Sequence, residues 1–539
     1  LSVVLFFCAV SLISDYDAPA RYLVSRGLEK LGPANGVLAE LLAPPPKYVT
    51  LPLDGEIRLS HPRILLPQLS LWNGQGVPKV IRARIKTLEN RTVAVEDYEP
   101  CGLALFVTKV VCWLKSGDSL QARHAVDQML ALEPDPPSER GLFGDSWEWS
   151  LAFDMLSSGS QMSDSEREII LTKLRINLRA HLRLLDGGAV ALWHNRTSLA
   201  SQAWLLAVVL DRNIESDRTL QRRAQGHFYQ SVRAVILTEA WPEGYNYWIN
   251  NRGFLYALAS SAYVNGLQGS LLSPEVVASL TRVGLWTLYA TRPDVKIEGI
   301  GDEGPRVDLK DETRRVIDLV TQLTGNRVFA TYSGFLAKAH GAAAYNHAYR
   351  WSHLLLFDPM IPGVEGLAPG DLKGLARHLP NSEVFGDGAM NLLITRSGWS
   401  KQDTFVSFRA GHSFTHHGHY DAGHFTLFKG APLIVNSSSY NGYVDTPHRL
   451  NYSQRTVAKN SLLVMRPGDR SFLSRLFKGI LFRESVEDGG QRVVFPTGNN
   501  IQNVDQWRNN IGALEHFEGG RLDTVHFENG AYAYTRADL

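Results

Sequence analysis

The sequence predicts an α+β chain, a long helical body followed by an antiparallel sheet, on three observations. From about residue 80 to 360, apolar residues recur at i, i+3, i+4 spacing. Beyond about residue 390 they alternate with a period of two, in short runs bounded by turn residues. Between these regimes the segment Gly363–Gly388 is rich in Gly and Pro, as a boundary between units is.

The helical stretches are Gly102–Leu114, Ser163–Leu185, Leu199–Leu210, Ser231–Ala240, Phe254–Tyr263, Pro274–Tyr289 and Thr313–Leu323. Ser163 followed by Glu166 has the spacing of a capping box, which marks a helix start. PDPPSERG, LDGG, WPEG and GDEGP supply breakers between helices. Roughly ten amphipathic helices with short links must close on each other, as a toroid of helical hairpins or as a solenoid. No fixed-period self-similarity of the solenoid kind is present. The strand candidates are NLLITRSGW, TFVSFRAG, HFTLFKG, PLIVNSS, KNSLLVMRP and QRVVFPTG, expected to form a sandwich. The expected division is 1–20 as the remnant of a leader, 21–380 as the helical body and 381–539 as the sheet domain. Leu1–Ser14 is an apolar run of signal-peptide length, too short to span a bilayer, so export to a secreted or periplasmic location is expected. The chain stops just after the alternation VHFENGAYAYTR, so truncation within the sheet domain is also expected.

Composition narrows the function classes. The 55 Lys and Arg against 54 Asp and Glu leave a net charge of +1, so no global basic field exists to hold nucleic acid. Three cysteines exclude a disulfide scaffold and a four-cysteine zinc site. No stretch is apolar enough for stable membrane insertion.

Five of the 17 histidines fall between His412 and His424, in GHSFTHHGHYDAGHF. In a strand, His417, His419 and Asp421 would share one face and could bind a divalent metal, or move protons and neutralise an anion. A polar strand face with satisfied histidines is the plainer alternative. Trp193-His194-Asn195-Arg196 stands at an expected helix start, where Asn195 and Arg196 either cap the helix or meet a ligand. Trp241-Pro242-Glu243-Gly244-Tyr245-Asn246-Tyr247-Trp248 holds four aromatics in a poor helix, a sugar platform or a packing junction. Tyr443, His448, Arg449, Tyr452, Arg455 and Lys459 supply local positive charge and aromatic surface. Gly301-Asp302-Glu303-Gly304-Pro305-Arg306 is a polar turn, assigned to rim or structure. No Gly-x-Ser-x-Gly elbow, phosphate loop or dinucleotide fingerprint accompanies them.

These residues carry a resemblance to the heparinase II/III-like polysaccharide lyases, which include alginate and glycosaminoglycan lyases. The likeness lies in His61-Pro62-Arg63-Ile64-Leu65-Leu66, in WHNR at 193–196, in WPEGYNY at 241–247, and in HGHYDAGHFTLFKGAPLIVNSSSY at 417–440. It spans about residues 60–465, in order. The resemblance implies an incomplete (α/α) toroid followed by an antiparallel β-sandwich, and β-elimination at a uronic acid within an acidic polysaccharide. It implies Tyr247 as base, acid or both, His194 and Asn195 as partners of the substrate carboxylate, and His417 as a sharer of the proton work. Arg196, Tyr245, Trp248, Tyr443, Arg449 and Tyr452 would line the sugar, with Tyr443 or Tyr452 as a second family tyrosine. Zinc-binding members use three positions that read here as His419, Asn436 and Lys459. A neutral amide and a cationic amine are poor company for a metal, so no cofactor is expected and the family zinc is taken as lost, although a divalent metal elsewhere stays open. A glycoside hydrolase on a related toroid and a non-catalytic carbohydrate-binding relative are the alternatives.

Overall fold

The structure is a computed structural model that describes residues 54–65, 105–138, 144–187, 192–305, 307–340, 352–358, 361–368, 370–412, 414, 417–437, 446, 448–464, 489–491, 503–508 and 520–539. Leu1–Ser14 and Tyr443 lie outside the described residues.

Ten helices of eight or more residues are found among the described residues. They are α1 (Phe106–Ser116), α2 (Ser119–Ala131), α3 (Ser146–Leu156), α4 (Asp164–Gly187), α5 (Thr197–Val208), α6 (Glu215–Thr238), α7 (Gly253–Gly266), α8 (Ser273–Ala290), α9 (Thr313–Thr324) and α10 (Arg327–His340). α5 is buried along its whole length and packs against α3, α4, α6 and α7. Its sequence TSLASQAWLLAV has no charged face, which is the signature of a helix with no water-facing side. α7 (GFLYALASSAYVNG) is buried in the same way. The amphipathic α4 turns Ile170, Leu171, Leu174, Leu178, Leu182 and Leu185 inward. It starts with the expected cap: Glu166 Oε2 accepts the Ser163 N–H at 2.9 Å. α6 begins well before the expected Ser231, because its first half buries polar side chains that the apolar pattern overlooks. Gln225 bonds the backbone of Asp54 in both directions (3.2 and 2.8 Å), and Gln221 donates to the Leu210 carbonyl at 3.2 Å.

The HPRILL segment is a structural pin. The Asp154 carboxylate accepts the backbone N–H groups of Arg63 and Ile64 and the His61 ring, all within 2.9 Å.

The five-stranded sheet is an antiparallel meander of β1 (Ser382–Phe385), β2 (Leu392–Arg396), β3 (Thr404–Arg409), β4 (His424–Lys429) and β5 (Ala431–Ile434), in that spatial order. β3 alternates in burial, with Phe405, Ser407 and Arg409 inward. The inner face is docked on the helical body by buried polar contacts. Glu298 accepts from Ser407 at 2.9 Å and from Thr426 at 2.8 Å, and Arg396 donates to the Tyr289 carbonyl at the end of α8. β6 (Arg521–Glu528) and β7 (Tyr532–Asp538) form a hairpin through Asn529-Gly530. The strand expected at KNSLLVMRP is not formed over its described part, residues 459–464, and QRVVFPTG lies outside the described residues beyond Gln491. A second sheet facing the first is not among the described residues.

Candidate active site

The site gathers where three chain segments meet. His194 is displaced by a break in the helical path, with φ −92° and ψ −112°, within the turn Leu192–Arg196 that leads into α5. Tyr247 lies in the first helical turn, Tyr245–Tyr247, which runs on through Trp248–Arg252 into α7, and its entry is Gly244 at φ +97°. A Cβ at residue 244 would stand 2.4 Å from the Ile300 carbonyl oxygen, so only glycine lets the two loops approach this closely. Gly301, at φ +62°, is similarly squeezed: a Cβ there would meet the carbonyl oxygens of His417 at 2.7 Å and Glu243 at 3.1 Å. The connection between β3 and β4, residues 410–423, brings His417 and His419. The expectation of a strand face for His417, His419 and Asp421 is corrected: the connection is irregular, and Asp421 turns away to pair with Arg409 at 2.8 Å.

The ring centroids of Tyr247 and His417 are 4.3 Å apart, those of His194 and His417 4.9 Å, and those of His194 and Tyr247 6.0 Å. The Tyr247 hydroxyl lies 3.0 Å from His417 Nδ1, and Asp302 Oδ2 lies 2.5 Å from the same nitrogen. A carboxylate only accepts, so Nδ1 carries the hydrogen, gives it to Asp302 and has the tyrosine oxygen beside it. His194 Nδ1–H donates to Glu243 Oε1 at 2.7 Å by the same logic. Arg252 spans both halves of this cluster. Its guanidinium donates to Asn195 Oδ1 and to the Tyr247 carbonyl at 3.0 Å each, and lies 4.9 Å from the Tyr247 ring centroid.

Behind the rings, Asp302 is the hub. It accepts from His417, from His419 Nε2 at 2.8 Å, and from Arg449 at 3.0 and 3.2 Å. Burial works to raise its carboxyl, but these donors hold it well below the usual carboxylate range. Burial works against Glu243 too, and His194, His417 and Arg252 bring it down to about 2. Burial lowers both His194 and Arg252. Glu303, on the far side of the turn, is pushed up to about 7 by burial, although it accepts backbone N–H groups of Asn246 and Ile300. His419 is lowered to about 4 by burial and by Lys459, and burial brings Lys459 down to about 7.

Of the sequence-predicted residues, Tyr247, His194, Asn195 and His417 come together. Arg196 does not join them: it is buried in the helical body, donating to the Leu185 carbonyl at 2.8 Å and lying 3.1 Å from His227 Nδ1. Tyr245 and Trp248 have no exposed surface to offer a sugar. The Tyr245 hydroxyl is bonded to Thr313 and to the Lys310 N–H, and Trp248 packs on Trp241 at 5.3 Å. Arg449 is buried against Asp302. Tyr452 is exposed, its hydroxyl 3.4 Å from Ser437 Oγ. Sequence reasoning missed Asp302, Arg252 and Glu243. An acidic pair between glycines in GDEGP, and an arginine directly before the apolar α7, were the available signals.

His419, Asn436 and Lys459 converge as well: Lys459 Nζ donates to His419 Nδ1 at 2.7 Å and to Asn436 Oδ1 at 2.9 Å. These donors do not fit a metal, since the amine fills the point on which the other two converge. Among the described residues, His194, Glu243 and His417 form one group whose ligand atoms lie within 4.8 Å of one another, but Glu243 is committed to His194 and His417 Nδ1 to Asp302.

No protein-family model matches the chain, and no curated protein matches it in sequence. Solved structures do match over most of its length. Heparinase III shares 12% identity over 87% of this chain and 68% of its own, with a TM-score of 0.38. A mutant of heparan sulfate lyase HepC from Pedobacter heparinus shares 13% over 94% and 71%, with a TM-score of 0.38. The heparinase III BT4657 gene product shares 13% over 83% and 68%, again at 0.38.

Proposed function

We propose that the chain is a polysaccharide lyase that cleaves a uronic-acid-containing polymer by β-elimination. The observation that carries this is the Tyr247 hydroxyl set beside His417 Nδ1, with Arg252 close to the phenol ring and His194 and Asn195 adjoining. Elimination needs a base at C5, a proton for the departing O4, and donors for the charge that builds on the carboxylate. A free phenol titrates near 10. Arg252, 4.9 Å from the ring centroid, supplies the positive potential that favours a phenolate, so Tyr247 takes the C5 proton and can return it to O4. His194 and the Asn195 amide face the carboxylate. A hydrolytic mechanism needs one carboxylic acid held protonated beside the scissile bond. Glu243 and Asp302 are both buried as ionised acceptors, and Glu303, raised to about 7 by burial, is enclosed and turned to the backbone N–H groups of Asn246 and Ile300, which favours elimination.

The domain division belongs to the same proposal: an incomplete (α/α) toroid through residue 380 and a sandwich-type sheet domain from 381. Export is proposed with it. What supports it is Cys112 in α1, which is disulfide-bonded, a state that persists in oxidising compartments.

The test is a panel of alginate, heparan sulfate, hyaluronan, chondroitin and glucuronan, followed by the ultraviolet absorbance of the unsaturated product. Absorbance should rise on at least one polymer and vanish in Tyr247→Phe with the fold intact. New reducing ends without absorbance would make the chain a hydrolase, and full activity in Tyr247→Phe would remove the tyrosine from the chemistry.

A further inference from the structure

Lys459 is buried at the edge of the site and belongs to none of the steps above. Its amine is one end of a continuous path. Lys459 Nζ donates to His419 Nδ1 (2.7 Å), His419 Nε2–H donates to Asp302 Oδ1 (2.8 Å), and His417 Nδ1–H donates to Asp302 Oδ2 (2.5 Å) beside the Tyr247 hydroxyl. Each polarity follows from the one before. A carboxylate must accept from both imidazoles, so His419 presents a bare Nδ1 outward, and a donor must meet it there. The side chain that meets it is a lysine, anchored on its other side by Asn436 Oδ1 at 2.9 Å. The Asn436 amide is oriented in turn by donating to the Glu303 carbonyl at 2.9 Å.

We propose that Lys459 is a positioning residue that takes the place of a metal ion, its N–H groups fixing His419 and, through Asp302, the ring of His417 that faces Tyr247. The zinc implied by the family resemblance has no room here: His419 Nδ1 and the Asn436 oxygen, the two donors it would use, are both engaged by the amine. The proposal holds whether or not the chain is a lyase, so its test reads metal content and nitrogen signals instead of turnover.

Two measurements on the intact wild-type chain come first. Metal analysis after dialysis against zinc-containing and then metal-free buffer should find no stoichiometric zinc; one zinc per chain overturns the proposal. With 15N-labelled histidine, His419 should show one bare nitrogen, Nδ1, and one protonated nitrogen, Nε2; a hydrogen on Nδ1 overturns it. In Lys459→Met, the bare-nitrogen signal of His419 should shift as it loses its hydrogen bond, and the Nδ1 signal of His417, linked to it through Asp302, should shift with it. Unchanged signals at both histidines in a folded Lys459→Met chain overturn the relay. If that variant does not fold, the two wild-type measurements still decide.

Discussion

Asp302 concentrates more of the site on one side chain than any residue singled out from the sequence. Two imidazoles and a guanidinium converge on a carboxylate that is almost wholly buried, and removal of one charge from such a group leaves the others uncompensated. Asp302→Asn should therefore lower stability by about 3–5 kcal/mol in denaturant unfolding, and should release His417 from the hydrogen bond that orients it. The residues legible in the sequence were those whose type advertises chemistry: His417 and His419 of the histidine cluster, Tyr247, and His194 and Asn195 of WHNR. Asp302 was illegible because an acidic turn between glycines is usually solvated, and only the fold places this one under His417. Arg196, Tyr245 and Trp248 misled in the opposite sense. Their types suit sugar binding, but burial gives them packing partners instead.

At the scale of elements, the short turn that carries Tyr247 depends on backbone geometry more than on side chains. Gly244 sits in a region of φ and ψ closed to other residues, with the Ile300 carbonyl against it. Gly244→Ala should cost about 1–3 kcal/mol and move Tyr247 off His417, seen as a lower melting temperature together with lost turnover. Helix identity was readable where apolar spacing was strong, as in α4, α8 and α9, and where apolar and small residues ran on without a charged face, as in α5 and α7. It failed over the first half of α6, where Gln221 and Gln225 occupy inward positions and hydrogen bonding replaces apolar burial. Four strands of the meander were readable from their alternation, which is strict in β3, but β1 (Ser382–Phe385) lies in the segment 363–388 read as a boundary. The histidine connection was not, because no period distinguishes an irregular loop from a strand.

For the molecule as a whole, buried imidazoles set an acid limit on stability. Burial holds His181, His419 and His424 down to about 4, against about 6.5 in an unfolded chain. Between those values the unfolded state binds more protons, so their contribution is present above pH 6.5 and is lost as pH falls towards 4. Glu148 and Glu303, raised to about 7 by burial, act in the other direction between pH 7 and 4.5. A single histidine is therefore best isolated by difference. His181 donates to the Asn177 carbonyl at 3.0 Å within α4, remote in sequence from the site. In His181→Leu the melting temperature should gain on wild type as pH is lowered from 7 to 4, by the equivalent of up to about 3 kcal/mol. A constant difference across that range would show that His181 is not held neutral in the fold.

The loop around Gly301 is wedged between Glu243 from the helical part and His417 from the sheet part, and Lys459 closes the arrangement from much further along the chain. Synthesis must therefore pass residue 459 before all of these side chains can meet. On the proposed lyase reading, the growing polypeptide has no assembled catalytic cluster until that point.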